Sequence, residues 1–248
     1  MSIKSVLCAI SLGLPYLTLS AEENGTFPGL TFHAKANPLT KEAVTGEWPR
    51  FNGPFDNAKS SETAIISKWP KSGPKLLWER DKGEGYASPA IKGDLLTIFH
   101  RKENHEVIEC IDATSGTPFW KFEYPVEYRD RYGYSNGPRA SPVIDGKHVY
   151  THGVTAWLTC LEINTGKKVW QRNLAEEFEI PQYFFGKGST PIVMNDTLIV
   201  NVGGSKDRCV VGFDRLSGET KWITKDSWGA SYSSPSRAVI HEKEVCLV

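Results

Sequence analysis

Net charge is the first thing this sequence lacks: 29 Lys and Arg are matched by 29 Asp and Glu. Without a basic field the surface has no means of gathering nucleic acid, and without an acidic one it does not concentrate cations. Nucleophile and phosphate motifs are missing as well. No Gly-x-Ser-x-Gly elbow occurs. Gly186-Lys-Gly-Ser-Thr190 departs from a phosphate loop because its Lys is followed by Gly rather than by Ser or Thr. His148 and His152 stand four residues apart on a strand pattern, about 13 Å from one another, too far to share a zinc ion. No local group of Asp, Glu and Asn has the spacing of a calcium loop. The sequence therefore predicts no catalytic residue and no metal ligand.

A long hydrophobic run is absent too. The longest, Val6 to Leu19, is too short for an ordinary transmembrane helix. With Lys4 before it and small Ser20 and Ala21 before Glu22 and Glu23, it reads as a secretory signal peptide over residues 1–21, implying export to the periplasm or beyond without a membrane anchor. Residues 22–47 carry no sustained periodicity and read as a leader.

What is present is a repeat. Asp112-Ala-Thr-Ser-Gly116-Thr-Pro-Phe-Trp120, Glu162-Ile-Asn-Thr-Gly166-Lys-Lys-Val-Trp170 and Asp214-Arg-Leu-Ser-Gly218-Glu-Thr-Lys-Trp222 share one pattern. A Ser/Thr-Pro step opens each unit at Ser88, Ser141, Thr190 and Ser234. Between the markers lie strand-length apolar runs such as Leu95–Phe99 and Thr197–Val202. About four strands in a period of roughly 40 to 50 residues is the signature of a β-propeller blade. In each copy Gly supplies the positive φ of a hairpin turn, while the acidic residue and Ser or Thr bond the turn's backbone. Trp then sits on the outer strand and packs on the neighbouring blade. These nine residues are expected to be structural, with Trp120, Trp170 and Trp222 largely buried at equivalent positions.

The spacing resembles the quinoprotein-type, or PQQ-like (pyrroloquinoline quinone), repeat family. Trp48-Pro-Arg-Phe-Asn-Gly-Pro54, Trp69-Pro70 and Gly73-Pro-Lys-Leu-Leu-Trp78 are similar to the opening of its secreted bacterial members. The resemblance implies an all-β propeller of four-stranded antiparallel blades over residues 48–248. A complete ring of that kind has about eight blades, or roughly 400 residues, so the chain is expected to hold about half of one. On this view Trp78 belongs to a blade whose inner strands come from a far C-terminus, and the full-length protein is expected to be a monomer. The family's dehydrogenases carry an adjacent-cysteine disulfide, a carboxylate base and a calcium site; this sequence has no Cys-Cys pair. Neither quinone nor calcium is expected here.

Four cysteines follow the signal segment. Cys110 and Cys160 both stand two residues before the motif's acidic residue. Such equivalent positions on stacked blades are about 10 Å apart, beyond the roughly 7 Å that a disulfide tolerates. Cys209 and Cys246 could join only if their strands lie side by side.

The linkers 121–140, 171–189 and 223–233 are rich in aromatics: Phe122, Tyr124, Tyr128, Tyr132 and Tyr134; Phe178, Tyr183, Phe184 and Phe185; Trp228 and Tyr232. In a propeller such linkers cross one face, and the residues just before each Ser/Thr-Pro enter the central channel. Tyr86, Asn136, Arg139, Lys187 and Tyr232 are the candidate ligand-binding residues, suited to a protein or a small polar ligand. The function this implies is an exported non-catalytic binding or scaffold module, as in the propeller lipoproteins of outer-membrane assembly. The alternative is a periplasmic quinoprotein-like oxidoreductase, using pyrroloquinoline quinone and calcium, whose base and metal ligands lie outside this sequence.

Overall fold

The computed structural model describes residues 27–63, 65–66, 68–181, 184–204 and 206–248. Residues 1–21, expected to be a signal peptide, and Tyr183 fall outside them. Strands form where apolar and polar residues alternate between glycine turns. Short β1 (Leu30–Phe32) pairs antiparallel with β2 (Trp78–Arg80), so the segment expected to be a leader contains a strand. Three residues are too few for periodicity to announce it.

Three complete blades follow. The first is β3 (Ala90–Lys92), β4 (Leu95–Lys102), β5 (His105–Asp112) and β6 (Pro118–Pro125). The second is β7 (Val143–Asp145), β8 (His148–His152), β9 (Trp157–Glu162) and β10 (Lys168–Asn173), trailed by the single-turn helix α1 (Leu174–Glu177). The third is β11 (Ile192–Met194), β12 (Thr197–Gly204), β13 (Arg208–Asp214) and β14 (Thr220–Ile223). Each sheet is antiparallel in chain order, and the hairpin of β15 (Ser236–Ile240) and β16 (Lys243–Leu247) begins another. One core cluster joins the first two blades through Phe99, Ile108, Trp120, Val149 and Leu161. A second joins the next two through Tyr150, Leu158, Val200 and Phe213.

The repeated motif locks each blade to the next. Gly116, Gly166 and Gly218 sit at φ of +73°, +69° and +75°. Asp112 and Asp214 each accept backbone N–H bonds from the turn through Oδ1. Each glycine then receives the tryptophan of the preceding blade: an added Cβ would lie 2.8 Å from the Trp78 ring at Gly116, 2.5 Å from Trp120 at Gly166 and 2.6 Å from Trp170 at Gly218. The same indoles donate Nε1–H to Ala113 O, Ile163 O and Arg215 O, the residue just after each motif's acidic position, at 3.1, 2.7 and 3.2 Å. Arg80 and Arg172, two residues beyond their tryptophans, add bonds to the Gly116 and Gly218 carbonyls.

Trp222 departs from the expected burial. Trp120 is 5% exposed but Trp222 is 40% exposed. No motif glycine follows it among the described residues, and its ring lies instead over Gly212 of its own blade. The four described cysteines, Cys110, Cys160, Cys209 and Cys246, are free. Cys110 and Cys160 are core residues opposite Trp120 and Trp170, while Cys209 and Cys246 belong to different sheets, Cys246 packing against the apolar cluster that contains Cys209.

The Ser/Thr-Pro steps link the blades on the inner side. Ser88 N–H donates to Ser141 Oγ, Ser141 N–H to Thr190 Oγ1 and Thr190 N–H to Ser234 Oγ, each at 3.0 Å. One hydroxyl per blade thus satisfies one backbone donor of the blade before. Trp48 and Pro49 run along the edges of β3 and β7 that no sheet partner covers. Trp48 exchanges two backbone bonds with Ile91, and Pro49 O accepts from Ile144 N–H at 2.7 Å. This strap satisfies inner-edge groups that would otherwise be left unpaired.

Candidate functional site

Arg139 is the centre of the linker face. Its guanidinium donates to Asp130 Oδ2 at 2.6 Å and to the carbonyls of Gly137 and Ser135. It lies 5.9, 5.9 and 5.7 Å from the ring centroids of Tyr86, Tyr128 and Phe185. Burial alone would raise the Asp130 pKa, but N–H bonds from Tyr132 and Tyr134 and the Arg139 charge hold it below the usual carboxylate range. Asp130 is therefore an anion fixed by its own loop. Its partner is fixed with it.

Around this pair the linkers bring their rings together. Tyr132 stacks on Phe184 at 5.6 Å with the planes 8° apart. Phe185 touches Tyr134 and Tyr232, and Arg131 lies over Phe184. Tyr86 OH donates to Tyr134 O, and Tyr232 OH accepts from Phe185 N–H. Tyr86, Tyr132, Tyr134, Phe184 and Tyr232 are all exposed. Hydrogen bonds and stacking hold them in place with their outer faces in water.

Of the five candidates, Tyr86, Arg139 and Tyr232 meet at this opening. Asn136 stands beside it as a brace: its N–H and Nδ2 donate to Glu84, its Oδ1 accepts from Asp130 N–H, and its carbonyl accepts from Arg101. Lys187 does not face the opening. It is 5% exposed, and Nζ donates to Val202 O at 2.7 Å. Burial lowers its pKa to about 7.

The other linker aromatics divide. Phe122 and Tyr124 belong to β6, and Tyr124 OH donates to buried Glu106. Phe178 packs edge-on against Phe213 in the core. Trp228 is exposed. Asp130, which the sequence did not single out, holds Arg139, and Tyr128, named only among the linker aromatics, lies against it.

Residues 104–248, more than half of the chain, match the profile of a PQQ-like repeat family described as outer membrane protein assembly factor BamB, and the chain belongs to that family. Among curated relatives, a lanthanide-dependent methanol dehydrogenase of Methylacidiphilum fumariolicum is 25% identical over 215 residues, covering 77% of this chain and 32% of that protein. A 1-butanol dehydrogenase (cytochrome c) of Thauera butanivorans is 24% identical over 171 residues, covering 67% and 24%. The chain thus spans a third or less of the length of these relatives. BamB from Moraxella catarrhalis superposes with a TM-score of 0.45 at 20% identity, covering 64% of this chain and 41% of that one. A europium-containing methanol dehydrogenase superposes at 0.48 and 16% identity, covering 72% and 31%.

Proposed function

We propose that this chain is part of an exported, non-catalytic PQQ-like repeat propeller that presents the Tyr86–Arg139–Tyr232 face to a partner protein. One observation carries the reading: Arg139, immobilised by Asp130, lies within an exposed and mutually braced set of rings. Tyr and Arg supply much of the energy of protein interfaces, and side chains already held in place lose little freedom on docking. The family description, an assembly factor of the outer membrane, supports the same direction. Among the described residues no helix is long and apolar enough to cross a membrane.

The relatives named as dehydrogenases favour a second reading, an oxidoreductase. The residues of this face do not fit its quinone and metal: the sequence lacks a Cys-Cys pair, and the carboxylate at the opening, Asp130, is already committed to Arg139.

Photo-crosslinkers at Tyr134 and at Lys121, on the outer strand β6, test the first reading in the cell envelope. The expected result is a discrete adduct from position 134 alone, lost on Tyr132→Ala with Phe184→Ala. Equal adducts at both positions, or none at 134, would overturn it. Dye-linked alcohol oxidation after adding pyrroloquinoline quinone with calcium or a lanthanide would replace it with the second. Reporter fusion to residues 1–21 tests export, and a cytoplasmic reporter refutes it.

A further inference from the structure

Charge around the docking face is unbalanced, although the chain as a whole is neutral. The acids that brace the face already have donors: Asp130 accepts from Arg139, Tyr132 and Tyr134, and Glu84 accepts from the N–H and Nδ2 of Asn136. The cations beside them lack acceptors. Arg129 stands between Tyr128 and Asp130, which both meet Arg139, and Arg131 lies over Phe184 at 5.8 Å. Both arginines are exposed. Among the described residues neither makes a hydrogen bond or an ion pair, whereas every other arginine of the chain does. Lys82 brings a third charge to the Tyr86 side, its Nζ 2.8 Å from Gly85 O. Burial alternates along the linker, so Val126, Tyr128 and Asp130 face inward while Glu127, Arg129 and Arg131 face water. Glu127 offsets one of the positive charges, and the two arginines share one side at the border of the exposed rings.

We propose that the face takes an acidic, extended segment of its partner protein, with carboxylates against Arg129 and Arg131 and an apolar side chain on the rings gathered around Phe185. This deepens the docking reading and rests on it. A guanidinium and a carboxylate match as two forks of donors and acceptors. A basic segment would meet like charge at both arginines, and a wholly apolar one would strip water from them without replacing it. A segment of acids alone would leave Tyr134, Phe184 and Tyr232, which all contact Phe185, facing water. Both kinds of side chain are therefore needed.

The two contributions differ in kind. Ion pairs in water are individually weak, so the arginines choose the partner and speed its approach while the rings supply most of the hold. The tip that carries Tyr132 and Tyr134 is already fixed by the Asp130 carboxylate, which limits the ordering that docking requires. Affinity is expected to fall as salt rises, because screening reaches exposed charges first.

The probes are fluorescein-labelled, capped peptides of alternating Glu, Pro and Phe, with Lys-for-Glu and Ser-for-Glu counterparts, titrated with the 248-residue chain and followed by anisotropy. The acidic peptide is expected to saturate, and the Lys and Ser versions to bind about tenfold more weakly or worse. Arg129→Glu with Arg131→Glu should weaken the acidic peptide about tenfold and turn the preference toward the Lys peptide, a gain that a misfolded variant would not show. Lys167→Glu with Lys168→Glu, the same change of net charge on the exposed β9–β10 hairpin, should leave binding unchanged. Tyr132→Ala with Phe184→Ala should weaken it about tenfold. Absent saturation, equal affinity for the Lys or Ser peptide, or indifference to the arginine reversal would overturn the proposal. Crosslinking from position 134 separates it from the docking reading: an adduct that forms equally in the reversed variant keeps the face and overturns the acidic partner, whereas no adduct overturns both.

Discussion

Replacing Gly166 by Ala separates the two tasks that the repeat glycine performs. The first is conformational: at φ +69° an L-residue strains the turn, at a cost of about 1–2 kcal/mol. The second is spatial, because the new methyl would lie 2.5 Å from Cε3 and 2.6 Å from Cδ2 of Trp120. Those are rigid ring atoms buried between blades, so the blades must part or the indole must turn. Overpacking of that kind costs about a further 1–3 kcal/mol, and turning the indole endangers its 2.7 Å bond to Ile163 O. Gly93 is the control, with φ +56° and nothing within 4 Å of its added Cβ. Urea unfolding followed by tryptophan fluorescence should show Gly93→Ala destabilised by about 1–2 kcal/mol and Gly166→Ala by about 2–5 kcal/mol. In a Trp120→Ala background the excess should vanish, since the obstacle has gone. Equal losses at the two glycines, or an excess that survives Trp120→Ala, would refute the blade lock.

Thr190→Val keeps the shape of the inner step but leaves buried Ser141 N–H without its acceptor, so unfolding should show a loss of about 1–3 kcal/mol, and Thr190→Ser should restore it. Glu106 lies fully buried between Tyr124 OH and Val154 N–H, and burial raises its pKa from 4.5 to about 7. The folded chain therefore holds a proton that the unfolded chain releases, so stability present below about pH 4.5 declines as pH rises to about 7. Glu106→Gln should flatten that stretch of a urea-midpoint profile, and an unchanged slope would show that Glu106 is ionised throughout. Trp222, Ile223 and Val239, at 40%, 41% and 68% exposure, form apolar surface beside the two-stranded β15–β16 hairpin. The 248-residue chain should self-associate in sedimentation at micromolar concentration and less so as Trp222→Glu, while a monodisperse monomer would contradict this.

Most of the fold was legible because each blade writes its own local pattern. Turn glycine, capping acid and outer tryptophan sit within nine residues of chain, and local geometry demands each of them. What lay beyond the repeat was less readable. β1 is a three-residue strand whose partner β2 stands far along the sequence, and nothing within Leu30–Phe32 names Trp78–Arg80. The Trp48–Pro49 strap was visible as a resemblance, but its use against the inner edges of β3 and β7 depends on where the blades sit. Trp222 follows the motif in full and is nevertheless exposed, because burial of each tryptophan belongs to the next blade's glycine rather than to its own strand.

The candidate site divides along one structural rule. Tyr86, Arg139 and Tyr232 each stand two residues before a Ser/Thr-Pro step, and the three side chains converge on one opening. Lys187 stands three before Thr190, and it turns to the Val202 carbonyl instead. Along an extended approach to β11, adjacent residues point to opposite sides, so an offset of one residue exchanges an open channel for a packed interior. At the position equivalent to Arg139 the third blade carries Gly188, where an added Cβ would meet Tyr232 Cδ1 at 3.0 Å and Arg139 Cβ at 3.6 Å. That glycine leaves the gap through which Tyr232 and Arg139 approach one another. Its importance comes from neighbours on two other blades, which is why no local pattern in the sequence marks it. Asp130 is hidden for the same reason: its carboxylate matters through Arg139, nine residues on, and only a linker folded back on itself brings the two to 2.6 Å.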